Sequence, residues 1–461
     1  MLQRMTDRSP YLAPDGVAIV QVAGRPAFTT PEGGRVVTDE ALVEIWRRAS
    51  DHSGDADSSL SADLALVHRA ARACLAEAGL LRRAGATPTP PPRSPGSSPG
   101  PSVSAVIVSY QSQEWLGDCF ASLRTQTHQP IEVVLVDNGS AEDPLPWIAR
   151  HYPEVIARRL PQSRSLAEAI NVGCEAASGD YLLILNPDLA LESEAVAELM
   201  RIAQDDPACG AVAPMLRFWW ARAFVNGLGN RVEDRSWGTD NAIGHLDLGQ
   251  FSDWTDVPSA CYAATLVPRE VWLAVGPADP GFALYYEDVE WSYRARLLGY
   301  RVRAAPEAIV YHAFGSRVAT GDEPGLTPRK LGHVVYGRLR FAAKLLDADY
   351  RRRFLANYRA EDRANALSAW RAGDRPAALA YLGGWARFAR SRMAISRAHR
   401  ALAARRRVSD ASLFAAQRLL PAGLTWNGLP ELTLAIVETI YLPLLLEGRT
   451  RPVPEFPRGT S

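Results

Sequence analysis

Three apolar runs in this 461-residue chain end on groups that can bind or react. Val103–Val108 closes on Ser109 and Tyr110, Ile131–Val136 on Asp137-Asn-Gly-Ser140, and Tyr181–Leu185 on Asn186-Pro-Asp188. In an open parallel sheet, ligands bind beyond the carboxyl ends of the strands. Pro187 lacks an N–H and holds Asn186 extended, so it ends its strand and fixes a short loop from which Asp188 projects. One Asp at a strand end is commonplace. A carboxylate after the second strand, with Asn-x-Asp after a later one, suits a nucleotide diphosphate. Polar groups serve base and ribose, and a carboxylate serves a divalent cation that bridges the phosphates. Neither Gly-x-Gly-x-x-Gly nor a Walker-type Gly-Lys-Ser/Thr follows the first strand, which argues against dinucleotide and P-loop sites.

A second cluster is Phe282-Ala-Leu-Tyr-Tyr-Glu-Asp-Val-Glu-Trp291. Glu287 and Asp288 stand where an aromatic run gives way to a helical pattern. A helix N-terminus holds carboxylates ionised, and an ionised carboxylate in a walled site can take a proton from an attacking hydroxyl. The plainer reading makes the two acids helix caps. A third candidate is His312, at the end of the run Pro306–His312. A lone His is more often structural, but Asp188 and His312 together offer an oxygen and a nitrogen to Mn²⁺ or Mg²⁺.

Four segments must position these groups. Residues 1–85 read as a small winged-helix-like domain. It has short apolar runs at 17–22 and 27–30, a helix over 39–49 with Leu42, Ile45 and Trp46 on one face, and a second helix from Ser61 to Leu81. Residues 86–102 contain seven Pro and form a linker. Residues 103–327 alternate strand and helix, which predicts an α/β fold with a mostly parallel sheet flanked by helices. Residues 328–461 read as helical. From Pro376 to Ser409 there is no acid, and eight Arg are interleaved with Trp385, Phe388, Met393 and Ile395. Such a helix either lies on an anionic membrane or packs on its neighbours.

Composition excludes other classes. Basic and acidic residues number 51 each, so no global field draws the chain onto nucleic acid. The five cysteines are far apart in sequence and odd in number, against a disulfide framework or thiolate zinc site. A reducing compartment follows. No signal-type leader or uninterrupted 18-residue apolar run is present, since Glu438 and Pro443 break Leu432–Leu446. The expected location is the cytoplasm, at most touching the inner face of the membrane.

The stretch 103–318 resembles family 2 glycosyltransferases of the GT-A fold. The resemblance runs in order through Val106-Ile-Val-Ser-Tyr110, Leu116–Gln126, Val136-Asp-Asn-Gly-Ser140, Ala169-Ile-Asn-Val-Gly173, Gly179–Asp188, Tyr286-Glu-Asp288 and Val310-Tyr-His312. The Asn-Pro-Asp form is similar to the rhamnosyl- and galactofuranosyltransferase branch. The resemblance implies a UDP- or dTDP-sugar donor and single-displacement inversion. It implies substrate contacts at Ser109, Tyr110, Asp137, Asn171 and Asn186, with Asp188 and His312 on the cation. Asp288 would be the general base beside Glu287. Glu290 would hold acceptor hydroxyls, and Trp291 would stack on a sugar or sit in the core.

The chain departs from the family pattern at Asn186, which replaces an acid, and at Ser163-Arg-Ser-Leu-Ala167, where Arg164 would reach the diphosphate. It departs again at Ser259-Ala-Cys261, where a Gly is usual. Phe218-Trp-Trp220, Phe224 and Trp237 are either core or a platform for sugar or lipid. The N-terminal unit weakly resembles PqqD-like domains. The leading expectation is a metal-dependent inverting glycosyltransferase acting on a glycan or lipid-linked glycan. The alternatives are a peptide or peptide-derived acceptor recruited by residues 1–85, and a non-catalytic nucleotide-sugar-binding module.

Overall fold

The structure, a computed structural model, describes residues 11–83 in part, 100–313 apart from 220, 235–237, 246 and 248, and 327–417. The apolar runs form the centre of one sheet. Strands β1 (Val103–Ser109), β2 (Ile131–Asp137), β3 (Ile156–Arg159) and β4 (Tyr181–Leu185) lie parallel in the order β3-β2-β1-β4. Every residue of β1 is buried, because helices cover both faces. Its side chains alternate between two cores. Val103, Ala105 and Ile107 pack with Leu116, Cys119 and Phe120 of α1 (Gln113–Arg124). Helix α2 (Leu145–His151) adds Ile148 to that side. Val106 and Val108 pack with Ala167, Ile170 and Cys174 of α3 (Leu166–Ala176).

Beyond β4 the sheet becomes mixed. The remaining elements are β5 (Leu189–Leu191), α4 (Ala195–Gln204), β6 (Cys209–Phe218), β7 (Ala221–Gly227), β8 (Ala264–Pro268), α5 (Arg269–Val275), α6 (Glu287–Leu297) and β9 (Arg301–His312). The full order is β5-β9-β6-β8-β4-β1-β2-β3, with β7 paired to β6. β8 runs antiparallel to β4 and β6, and β5 antiparallel to β9. β9 is parallel to β6. The expected α/β architecture is present, with parallel pairing concentrated in β4-β1-β2-β3. Parallel neighbours need a crossover connection, whereas β6 turns straight into β7 and therefore pairs antiparallel.

Helices α7 (Pro328–Leu345), α8 (Ala348–Arg371), α9 (Arg375–Ala403) and α10 (Asp410–Ala415) form the C-terminal region. Side chains of Thr327, Asp347 and Asp374 cap the first three. In the N-terminal unit, strands at Ile19–Val22, Arg25–Thr29 and Arg35–Val37 form an antiparallel sheet beside a helix at Glu40–Ser50. The strand at 35–37 was not expected. Trp46 Nε1 donates to Leu80 O at 2.6 Å. Most of the expected helix 61–81, linker residues 86–99, and Leu432–Leu446 lie outside the described residues. Among the described residues no helix is long and apolar enough to cross a membrane, and Cys119, Cys174, Cys209 and Cys261 are free thiols.

A buried charge network joins α7 to the site-bearing α6. Lys344 Nζ lies 2.6 Å from Asp279 Oδ2 and 2.8 Å from Glu290 Oε1. Arg294 adds a bond to Glu290 at 2.9 Å, and Arg340 one to Asp279 at 2.8 Å. Lys344 and Arg340 hold the Asp279 carboxyl down at about 2. Removing one partner of a buried network leaves charge uncompensated, so Lys344→Met is expected to destabilise the fold by about 3 kcal/mol in urea unfolding.

Candidate functional site

Sheet register builds the first half of the site. β5 pairs with the end of β9, Leu189 opposite His312, and Ala313 N donates to Asp188 O at 3.0 Å. Asp188 Oδ1 thereby comes to 3.5 Å from His312 Nε2. The other ring nitrogen, Nδ1, bonds Asn226 Oδ1 at 2.8 Å. A carbonyl oxygen only accepts, so Nδ1 donates in this bond and Nε2 is the nitrogen turned to Asp188. Such an outer acceptor orients a metal-binding imidazole. Asn226 lies on β7 and carries no sequence signal. Asn186 anchors the loop through its N–H, which donates to Ala263 O at 2.8 Å.

The Asp188–His312 donor set fits a hard divalent cation. Ligands about 2.0–2.1 Å from Mg²⁺ on adjacent octahedral positions are roughly 3 Å apart, near the separation seen here. Among the described residues no third His, Cys, Asp or Glu joins the pair. That leaves positions for phosphate oxygens and water, which is how Mg²⁺ is commonly held.

The second part lies at the ends of β1 and β2. Asp137 is fully buried. Its carboxylate accepts from Ser140 N at 3.2 Å and Ser140 Oγ at 2.5 Å, and pairs with Arg159 Nε at 3.2 Å. A nucleotide contact at Asp137 would have to share one of these bonds. Gly139 makes the turn possible: its φ is +76°, and a Cβ there would lie 2.6 Å from the backbone of Gln162. Ser109, Gln111, Ser112, Glu114, Ser140 and Glu142 line a cleft of about 180 Å³. Tyr110 beside it is exposed. Asn138 clasps the backbone of Arg164 with bonds of 3.0 and 2.9 Å, leaving the Arg164 side chain exposed.

The third part is the start of α6. Tyr285 and Tyr286 precede it with φ of +67° and +71°. Left-handed backbone at non-glycine residues costs of order 1–3 kcal/mol each and clusters at functional sites. It places Glu287 and Asp288 in buried positions. Asp288 accepts from Val289 N at 2.7 Å, Asn230 Nδ2 at 3.2 Å and Tyr262 N at 3.3 Å. Glu287 Oε2 is buried with no partner among the described residues. Burial and then the Asp288 charge push Glu287 up to about 8. Burial also raises Asp288, but its three donors favour the ionised form. The pair therefore holds its proton on Glu287 and its charge on Asp288. Asp240, from the short strand Thr239–Asp240, completes this wall. Burial and the Asp288 charge push Asp240 up to about 7, opposed by His312.

Three expected contacts have other work. Glu290 has no exposed side chain and is bonded to Arg294 and Lys344, which corrects its expected role with acceptor hydroxyls. Trp291 is fully buried, stacked on Trp272 at 5.4 Å, and donates to Gly276 O at 2.9 Å; it is core. The Asn171 amide exchanges two 2.9 Å bonds with the Ala278 backbone, so its polar groups are spent on the fold. Phe218 and Phe224 are buried, and Trp219 meets Trp115 edge-on at 5.8 Å. Trp220 and Trp237 lie outside the described residues.

Glu287 also links stability to pH. The ordinary value for such a carboxyl is 4.5, and its folded value is about 8. Between these limits the folded chain keeps a proton that the unfolded chain has released, so rising pH favours unfolding. The thermal midpoint is expected to fall across this window, and Glu287→Gln to flatten the fall in a pH series of melting curves.

Residues 104–271 match the model of the family described as "Glycosyl transferase family 2". EpsH of Bacillus subtilis (strain 168) is 31% identical over 109 residues, 23% of this chain and 31% of that protein. Poly-beta-1,6-N-acetyl-D-glucosamine synthase of Staphylococcus aureus (strain COL) is 23% identical over 245 residues, 52% of this chain and 53% of that protein. The chain thus spans between about a third and a half of the length of these curated relatives. Among solved structures, the mannosyltransferase PcManGT from Pyrobaculum calidifontis, in complex with GDP-Man and Mn²⁺, aligns with a TM-score of 0.39 at 17% identity. That alignment covers 79% of this chain and 97% of that one.

Proposed function

We propose, from the premise that residues 104–271 are a family 2 glycosyltransferase domain, that this protein moves a sugar from a UDP- or dTDP-linked donor to a hydroxyl of a glycan or lipid-linked glycan, with inversion. One observation supports the reading: the Asp188–His312 pair and the buried, hydrogen-bonded Asp288 are joined through Asn226, which bonds His312, and Asn230, which bonds Asp288. A divalent cation bound by Asp188 and His312 would act as a Lewis acid on the departing diphosphate. Asn226 holds the His312 ring so that Nε2 is turned to the cation position. Asp288 takes the acceptor's proton as the new bond forms, and Asn230 and Tyr262 N hold its carboxylate in place. Protonated Glu287 spares Asp288 a second adjacent charge. Attack from the Asp288 side, opposite the diphosphate, inverts the anomeric carbon.

The test is a panel of UDP-, dTDP- and GDP-sugars with Mn²⁺, Mg²⁺ or EDTA, followed by nucleoside diphosphate release and thermal stabilisation. The expected result is one donor that stabilises and turns over only with metal. No response to any donor, with or without acceptor glycans, would defeat the reading.

A lipid-linked acceptor agrees with α9. Leu379, Leu382 and Met393 are 57%, 61% and 79% exposed. At helical spacing they share a side with Arg390 and Arg397, and α9 carries no acid. Trp370 is exposed at the adjoining turn, with Arg375 5.6 Å from its ring centre. An apolar face edged with Arg suits the interface of an anionic bilayer, at the inner face of the membrane. Flotation with anionic but not neutral vesicles is the expected outcome; equal flotation with both, or with neither, would remove this part.

A further inference from the structure

The segment between β7 and β8 is absorbed by neither the nucleotide cleft nor the cation pair. Backbone hydrogen bonds tie its described residues together. Asn230 pairs with Asp240 across two short antiparallel strands. Leu228 N donates to Asn241 O at 3.1 Å, Asn241 N to Gly229 O at 2.8 Å, and Asn230 N to Ser259 O at 2.8 Å. The hairpin brings three polar side chains to the wall between His312 and Asp288. Asn226, 2% exposed, bonds His312 through Oδ1, and its Nδ2 is buried without a partner. Asn230 donates to Asp288, and its Oδ1 is also buried without a partner. Asp240 is half-buried; its backbone carbonyl accepts from Ile243 N, while its carboxylate accepts no hydrogen bond from the described residues. Gly227 leaves room for it: a Cβ at 227 would lie 3.3 Å from Asp240 Cβ.

Buried polar atoms are almost always satisfied, and those that are not call for an explanation. Here a donor and an acceptor find no partner among the described residues, beside the Asp240 carboxylate. A third cation ligand does not account for Asp240, since no set of three ligating side chains forms among the described residues. Position decides between the remaining partners. The diphosphate belongs at Asp188 and His312, and the attacking hydroxyl at Asp288. The ring being transferred must lie between them, and that is where Asp240 and Asn230 stand.

We infer that the paired strands Asn230–Arg231 and Thr239–Asp240 bear the sugar-reading wall of the site, with Asp240 and Asn230 Oδ1 accepting hydrogen bonds from hydroxyls of the transferred sugar. The inference rests on the glycosyltransferase reading and deepens it. Asp240 is the stronger reader, because a carboxylate accepts from two neighbouring hydroxyls at once. A donor sugar lacking a hydroxyl at the matched position leaves that carboxylate unpaired and is rejected.

The test is calorimetric titration of the full chain with Mn²⁺. It uses UDP, dTDP and GDP and the corresponding sugar nucleotides, on wild type, Asp240→Asn and Asp240→Ala. The wild type is expected to bind at least one sugar nucleotide more tightly than its bare diphosphate. Both variants are expected to shrink that sugar increment by about 10–100-fold, the range for hydrogen bonds to a charged group, while diphosphate affinity stays within about threefold. Loss of diphosphate binding in step with the sugar nucleotide would overturn the inference, because Asp240 would then serve the cation or the fold. An unchanged sugar increment in both variants would overturn it as well. A wild type that binds no nucleotide would defeat the parent reading, and this inference with it. Asp240→Asn keeps size and removes a repulsive charge, so its melting curve should match or exceed the wild type's.

Discussion

Asp288→Asn is expected to lower kcat by about 10²–10⁴-fold, the span of a positioned general base, with donor binding retained. The side chain keeps its shape, but its one carbonyl oxygen can replace only Oδ1, which accepts from Val289 N, or Oδ2, which accepts from Asn230 Nδ2 and Tyr262 N. The substitution also removes the charge that, after burial, raises Glu287. The relieved charge offsets the lost acceptor, so the variant should fold with a melting curve near the wild type's. Transfer kinetics beside calorimetric donor titration separate the two effects. Full activity in a folded variant would take the base away from Asp288 and leave only the nucleotide-binding reading.

Asp188→Ala is expected to abolish cation-dependent nucleotide binding. The usual first acid is Asn186 in this chain, so Asp188 supplies the sole carboxylate of the pair. His312→Ala should follow it closely. Asn226→Ala should weaken cation affinity by a further, smaller factor of about 10–100, because it acts only through the ring orientation of His312. The readout is the difference in nucleoside diphosphate affinity between Mn²⁺ and EDTA. An Asp188→Ala protein whose affinity still responds to Mn²⁺ would place the cation elsewhere. The ordered series Asp188, His312, Asn226 also tests the direction of dependence, since a purely structural role for Asn226 would appear in melting curves before it appeared in cation affinity.

Much of the catalytic framework was legible in the residues. The three apolar runs became β1, β2 and β4, buried as their unbroken character requires. The strand before Pro187 stops at Leu185, as the backbone chemistry of Pro187 predicts. Positions next to these signals were less secure. Glu290 and Trp291 directly follow the reactive acids, and adjacency suggested shared work. On a helix, however, successive residues point about 100° apart, so Asp288 faces Asn230 while Glu290 faces Lys344 and Arg294. Asn171 looked like a binding residue because it lies in a family-like stretch, yet its amide closes a contact to Ala278, 107 residues away.

By itself the sequence determined the strands, the groups at their ends and the family resemblance, because these depend on local periodicity and on backbone limits that act within a few residues. It could not determine which polar groups meet. Asn226, Asn230 and Asp240 have no motif; they reach His312 and Asp288 only because β7 pairs with β6 and the following hairpin folds across the sheet edge. The ionisation of Glu287 and Asp288 is tertiary for the same reason. Two adjacent acids with similar intrinsic chemistry diverge because one received three hydrogen-bond donors and the other an unpartnered, buried oxygen. Burial and donor placement are properties of distant segments brought together, and a one-dimensional pattern does not carry them.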